Sequence, residues 1–162
     1  MLIRTACFFV TLIAAGAAAA SADPGLVPPA GWTHVDSTGA PDPQRTFDTW
    51  KQSSAPGSQT LTLIKDLSST YADAVARVKK NFADNNIHAA VDEDKTCQGV
   101  TGHVFEFTTG PDSSKFVVDR TIVPLGTGVE TLTYVRSEKQ PFDNEVKTSI
   151  AAWCSEAQPA AK

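Results

Sequence analysis

The sequence predicts an α+β fold in which an antiparallel sheet of about six to seven strands is flanked by two helices. Two observations predict it. Short runs rich in Val, Thr, Phe and Tyr are separated by turn-forming Gly, Pro, Asn and Asp residues, and strands joined by such short turns must pair antiparallel. Two other segments repeat their apolar residues every three or four positions, as a helix with one buried face does. The positions of these segments give the order βββαββββα.

Three strands are predicted before the first helix, over 31–36, 46–51 and 59–66. Turn-forming residues at 39–43 and 55–58 separate them, so hairpins are expected. The first helix is indicated by apolar residues at steps of four, three and four, namely Tyr71, Val75, Val78 and Phe82. Ser69 or Thr70 can cap its start, and the pair Asn85 and Asn86 can end it, because asparagine tolerates the left-handed conformation.

Four strands and a second helix follow. The strands are expected over 87–92, 99–109, 115–124 and 128–137, with the turns of a meander at 110–113 and 126–127. The helix is predicted to begin at Pro141, which suits a first helical position, and to end at Cys154. It carries four apolar residues on one side: Phe142, Val146, Ile150 and Trp153.

Residues 1–22 have the three parts of a secretory signal peptide. Arg4 supplies the positive charge, an apolar stretch too short for a stable membrane anchor follows, and small residues end the segment. Cleavage is expected after Ala20 or Ala22. The mature protein is therefore expected in the periplasm or outside the cell. No later apolar run approaches the roughly 20 residues of a spanning helix, so no transmembrane anchor is expected after signal removal.

The mature chain divides into three parts. A proline-rich lead at 23–30 cannot pair inside a sheet and is interpreted as a tether. A single domain at 31–154 follows, and the polar tail at 155–162 is expected to be disordered.

Cysteine usage is consistent with export. Cys7 precedes the apolar stretch and leaves with the signal, so Cys97 and Cys154 remain. An isolated pair in an oxidising compartment predicts a disulfide, whereas redox pairs usually lie two residues apart. The bond would tie the end of the last helix to the loop before the meander.

Several classes of function lack their sequence signatures. Removal of Arg4 takes the net charge from −4 to −5, and no basic stripe suggests nucleic-acid binding. No Gly-x-Ser-x-Gly turn and no glycine-rich phosphate loop occur, so no cofactor is predicted. Three histidines on separate strands, His34, His88 and His103, could converge on zinc, but they lack the close spacing of a specific site, so no metal is predicted.

The hairpin over residues 99–124 predicts one apolar and one mixed face. A four-residue turn at 110–113 would place Phe107 opposite Phe116, Phe105 opposite Val118 and His103 opposite Arg120. The apolar side, expected under both helices, would contain Phe105, Phe107, Phe116, Val118, Ile122 and Val135.

The opposite side contains the candidate ligand or partner face: Glu106, Asp119, Tyr134 and Arg136. These groups are expected to face away from the helices. They could bind a polar ligand, and Glu106 with Asp119 could form an acid and base pair. Cross-strand opposite charges are also a common way to stabilise a solvated sheet, and that interpretation is favoured.

The chain resembles the PsbP-like superfamily in four features. They are the start Pro-Pro-Ala-Gly-Trp at 28–32, the strands before the first helix, the stretch Gln-Gly-Val-Thr-Gly at 98–102 and the terminal helix. That superfamily includes the eukaryotic Ran-binding Mog-type proteins. The resemblance implies an antiparallel sheet flanked by helices and a role in binding proteins or other partners, and it carries over no functional residue.

The leading hypothesis is an exported, non-catalytic binding or accessory module of the bacterial envelope, whose partner is a protein or a small polar ligand. One alternative is a small periplasmic hydrolase or isomerase that uses Glu106, Asp119 and Tyr134. Another is a structural subunit of an envelope complex. A cleft over the candidate face with a carboxylate of raised pKa would favour the enzyme.

Overall fold

The computed structural model describes residues 25–36, 42–54 and 57–155. The predicted signal peptide and the tail beyond Ser155 lie outside the described residues. The strands are β1 (Thr33–Val35), β2 (Arg45–Ser54), β3 (Gly57–Asp66), β4 (Ala89–Cys97), β5 (Val100–Thr109), β6 (Phe116–Leu125) and β7 (Gly128–Ser137). The helices are α1 (Tyr71–Asn85) and α2 (Asn144–Ser155).

All strands join one seven-stranded sheet of order β1-β2-β3-β7-β6-β5-β4, and every neighbouring pair is antiparallel. This confirms the α+β class, the antiparallel sheet and the two helices. Strand β4 runs to Cys97 rather than to Asp92 because it is an edge strand, which tolerates a run of exposed charged residues.

Both helices begin at a side-chain cap, and α1 ends at a residue with left-handed backbone. Thr70 caps α1, since its Oγ1 accepts a hydrogen bond from the Asp73 amide at 3.2 Å, and Asn86 closes it with a φ of 51°. Helix α2 begins at Asn144 and not at Pro141. Asp143 Oδ1 accepts from the Glu145 amide at 2.8 Å, so the cap lies beyond the proline.

The two helices pack against opposite faces of the sheet. Helix α1 buries its apolar side on a cluster built around Phe82, Phe105, Phe107, Val118, Ile122 and Val129. Helix α2 buries Val146 and Trp153 on a second cluster that contains Leu61, Leu63, Val123, Leu132 and Tyr134. In β7, Leu132 and Tyr134 belong to the second cluster, whereas Val129 and Val135 contact the first, because alternate residues of a strand face opposite sides.

The expectation that both helices cover the Phe105 side is therefore wrong. The central strands are apolar on both faces, and each face needs its own covering layer.

The β5–β6 hairpin has a longer turn than predicted. Thr109 pairs with Phe116 and Phe107 with Val118, which shifts β6 by two residues from the expected register. A shift of two keeps every side chain on its predicted face, so Phe105, Phe107, Val118 and Ile122 are buried as expected. Val135 is partly buried on the same side, whereas Phe116 is exposed over 38% of its surface at the start of β6.

The disulfide prediction is confirmed. Cys97 and Cys154 are bonded with their Cα atoms 4.5 Å apart, and the Gln98 amide donates to the Cys154 carbonyl at 2.6 Å. The preceding residue, Trp153, donates from Nε1 to the buried Glu130 carboxylate at 3.1 Å. These contacts hold the end of α2 on the sheet.

The proline-rich lead is not a free tether over its described part. Leu26 is only 6% exposed and joins the cluster under α2, because an apolar side chain outside the sheet can still pack on its core.

Within the ranges that the structure covers, no helix has the length and apolar content needed to cross a membrane.

Candidate functional site

Each helix leaves a groove between its flank and the sheet. The α2 groove has a volume of about 490 Å³ and runs between α2 and strands β4 to β7; among its lining residues are Lys95, Val104, Asp119, Phe142, Lys147 and Ile150. The α1 groove, of about 370 Å³, lies between α1 and strands β2, β3, β5, β6 and β7; among its lining residues are Arg45, Phe47, Ile64, Arg77, Val78 and Arg120. Both volumes are within the range of small-molecule sites.

The predicted face lies on the α2 side, and its four residues come together. Glu106 pairs directly with Asp119 across β5 and β6, and Asp119 pairs with Tyr134 across β6 and β7. Arg136 Nη2 lies 3.8 Å from Asp119 Oδ2. The proposed juxtaposition is therefore present in the fold.

The expectation that this face points away from the helices is wrong. Tyr134 has no exposed surface, its ring packs 4.9 Å from that of Phe142, and its hydroxyl donates to Gln59 Oε1. The covering layer of α2 and the segment before it removes Tyr134 from solvent. Only Asp119 of the four lines the groove.

Asp119 has an unusual electrostatic environment. Its pKa is raised from 3.8 to about 7, mainly by burial and also by the nearby Glu106, while the Arg136 guanidinium acts in the opposite direction. Its buried Oδ2 has no hydrogen-bond partner among the described residues. A carboxyl group of this kind can take up and release a proton near neutral pH, which is the property required of a general acid or base.

The α1 groove contains three arginines, from β2, α1 and β6. Arg45 is held by Asp66, which lies directly opposite in the β2–β3 pair and accepts from Arg45 Nη2 at 2.5 Å. Asp66 also accepts from Ser69 Oγ at 2.9 Å, and Ser69 Oγ in turn accepts from Arg77 Nη2 at 3.0 Å. One carboxylate thus orders two of the three guanidinium groups.

Asp66 is strongly favoured in its charged form. Hydrogen bonds from Ser68, above all, and from Arg45 and Ser69 hold its pKa well below the ordinary value of 3.8 despite its burial. It remains an anion wherever the protein is folded near neutral pH, so its contacts with Arg45 and Ser69 persist.

Arg120 differs from the other two arginines. It is half-buried, and its Nε donates to Thr133 Oγ1 at 3.2 Å. Across the described ranges, no carboxylate lies within ion-pair distance of its guanidinium. Burial lowers the pKa of Arg120, as expected for a cation removed from water without a counter-charge. Arginine nevertheless stays protonated in proteins, so the groove holds an uncompensated positive charge.

This arginine cluster was not predicted from the sequence. Arg45, Arg77 and Arg120 are far apart in the chain, and Arg120 was expected opposite His103 rather than opposite Phe105. One signal was present in the sequence. Arg120 lies between Val118 and Ile122 on the same face of β6, and that face was predicted to be buried. A charged residue in that position needs either a partner or a ligand.

The histidines do not converge. His34 lies on β1 near one edge of the sheet and His103 lies on β5 near the other. Both ring nitrogens of the buried His103 lie 2.7 Å from carboxylate oxygens, of Asp94 and Asp92. Over the parts of the chain that the structure covers, no group of three or more potential metal ligands forms a site.

The comparisons with known proteins establish only the fold. No family model matches the chain, and no curated protein matches it. The fold is similar to that of a crystal structure of a protein of unknown function from Pseudomonas aeruginosa, for which a regulatory role has been suggested. The TM-score is 0.59 and the sequence identity is 15%, over 80% of this chain and 99% of that chain. At this identity the likeness shows a shared architecture and transfers no activity.

Proposed function

We propose that this protein is an exported, non-catalytic binding module of the bacterial envelope and that the α1 groove holds a small anionic ligand. The observation that carries the proposal is Arg120, a half-buried guanidinium with no carboxylate partner in the described chain, facing a groove large enough for a ligand. The PsbP-like resemblance supports a binding role and remains a prediction, as do export and the envelope location.

The physical basis is the cost of an unpaired charge. Removing a cation from water without a counter-ion is unfavourable, and proteins usually provide a buried cation with an acidic neighbour. Asp66 serves Arg45 in this way, but its carboxylate is already occupied by Arg45, Ser68 and Ser69. An anion that binds Arg120 would supply the missing counter-charge, and a guanidinium can bind it through two parallel hydrogen bonds.

The enzyme alternative has one observation in its favour. Asp119 lies in a groove and has a raised pKa, the two properties expected of a catalytic carboxylate on this face. Its intended partner Tyr134 is fully buried and bonded to Gln59, so it does not reach a substrate in this groove. Opposed carboxylates next to an arginine also occur in structural networks, and binding is therefore the better-supported function.

Anion-dependent thermal stability tests the proposal. We expect the melting temperature of the mature, oxidised protein to rise when sodium chloride is exchanged for sodium acetate or phosphate at constant ionic strength. An anion present at ~100 times its dissociation constant stabilises the folded state by about 2.7 kcal/mol. The variant Arg120→Met should lose this response, whereas Lys139→Met, which removes an exposed lysine outside the groove, should keep it. Equal responses of the two variants would contradict the proposal.

A further inference from the structure

We infer that the ligand of the α1 groove is an amphipathic monocarboxylate of roughly ten non-hydrogen atoms in all, with its carboxylate on Arg120 and its apolar body between the sheet and α1. This inference rests on the proposed anion-binding function and specifies its ligand class. It follows from the charge, lining and size of the groove.

The charge distribution calls for one negative charge. Arg45 is paired with Asp66, and Arg77 is exposed to solvent, where water screens its charge. Only Arg120 is both half-buried and without a carboxylate partner in the described residues. A doubly charged headgroup would bring a second negative charge into the groove beside the Asp66 carboxylate, whereas a single carboxylate balances Arg120 alone.

The rest of the lining is largely apolar. Side chains from strands and helix contribute it: Phe47, Ile64, Ala74, Val78, Phe82, Phe107 and Val129. Phe47 is 44% exposed on β2, the strand farthest from α1 among those that line the groove. An apolar body resting on Phe47 and Ile64 would cover surface that a small inorganic anion leaves in contact with water.

The volume limits the size of the ligand. A groove of about 370 Å³ corresponds to roughly twelve water-sized volumes of ~30 Å³ each. Octanoate, with about ten non-hydrogen atoms, matches this space, whereas a long-chain lipid exceeds it.

Calorimetric titration of the mature, oxidised protein with acetate, octanoate and inorganic phosphate tests the inference. We expect octanoate to bind at least about tenfold more tightly than acetate, since each methylene moved into apolar contact adds roughly fourfold. Phe47→Ser should weaken octanoate binding about fivefold or more and leave acetate binding unchanged. Phe116→Ser is the matched control, because Phe116 is also exposed but lies outside the groove.

The outcomes separate this inference from the proposed function. Equal affinities for acetate and octanoate, or tighter binding of phosphate than of octanoate, would overturn the ligand class and leave anion binding intact. Octanoate binding that survives Arg120→Met would overturn the assignment of the carboxylate to Arg120. Binding of none of the three anions would overturn the proposed function together with this inference.

Discussion

Replacing Asp119 with Asn should remove a pH dependence of stability that this carboxyl group imposes. Burial, with a smaller contribution from the charge of Glu106, raises the pKa of Asp119 from 3.8 to about 7 in the folded protein. Between these values the folded chain holds a proton that the unfolded chain has released. The free energy of unfolding should therefore fall as the pH rises from about 4 to about 7, and the loss should persist above pH 7.

The magnitude follows from the size of the pKa change and the exposure of the site. One pKa unit corresponds to about 1.4 kcal/mol, so a fully enclosed carboxyl with this change would cost ~4 kcal/mol at high pH. Asp119 lines an open groove and lies 3.8 Å from Arg136, and water in the groove screens its charge. We therefore expect a difference of about 1 to 2 kcal/mol.

The assay is urea unfolding at several pH values between 5 and 8, followed by tryptophan fluorescence. Trp153 lies on α2 and is buried against the sheet, so its fluorescence should report global unfolding. Asp119→Asn should be more stable than the parent protein at pH 8, and the advantage should shrink towards pH 5. All other titratable groups are shared, so the difference between the two profiles isolates Asp119. Glu106→Gln is the control for the neighbouring charge and should move the transition to lower pH.

Parallel pH profiles for the parent protein and Asp119→Asn would refute this reasoning. That result would mean that Asp119 is ionised throughout the range and that Arg136 compensates its burial.

Two further predictions concern the covalent and ionic supports of the fold. Cys97→Ser, or reduction of the bond to Cys154, should lower the free energy of unfolding by about 2 to 4 kcal/mol because the bond closes a long loop. Urea unfolding with and without reductant measures this difference, and unchanged stability would contradict the prediction. Asp66→Asn should destabilise the protein at pH 7 by about 2 kcal/mol through lost charge-assisted hydrogen bonds. Because the pKa of folded Asp66 lies below 3.8, the difference from the parent protein should narrow as the pH falls through and below 3.8; a gap that is constant from pH 7 to pH 2.5 would be the contrary result.

Much of the local structure could be predicted from the sequence, because it depends on neighbours in the chain. The steps from Tyr71 to Phe82 indicated α1. Its start was indicated at Ser69 or Thr70 and its end at the Asn85–Asn86 pair, and the structure has the caps at Thr70 and Asn86. The alternation in β5 and β6 placed Phe105 and Val118 on a buried face. The pairing register was less accessible, since it depends on a turn whose length the residues at 110–113 do not determine.

Long-range arrangement was harder to predict. The apolar sides of both helices were visible in the sequence, but the sheet face that each would cover was not. Tyr134 was expected to face away from the helices because it lies on the sheet face opposite Phe105, yet α2 and the segment before it bury it. The α1 groove depends on side chains from five strands and a helix, and only the tertiary fold brings them together.

The two grooves differ in how the charge of their partly buried ionisable group can be neutralised. In the α2 groove, Asp119 can take up a proton from solvent and become neutral, so the folded protein can accommodate it without a ligand. Arg120 in the α1 groove has no such route, because a guanidinium does not give up its proton at any pH at which proteins fold. No carboxylate of the described chain balances its charge, since the nearby Asp66 is already engaged by Arg45 and Ser69, and a bound anion would do so. For this reason the α1 groove, and not the face that the sequence first indicated, is where a ligand would contribute most to the stability of the folded protein.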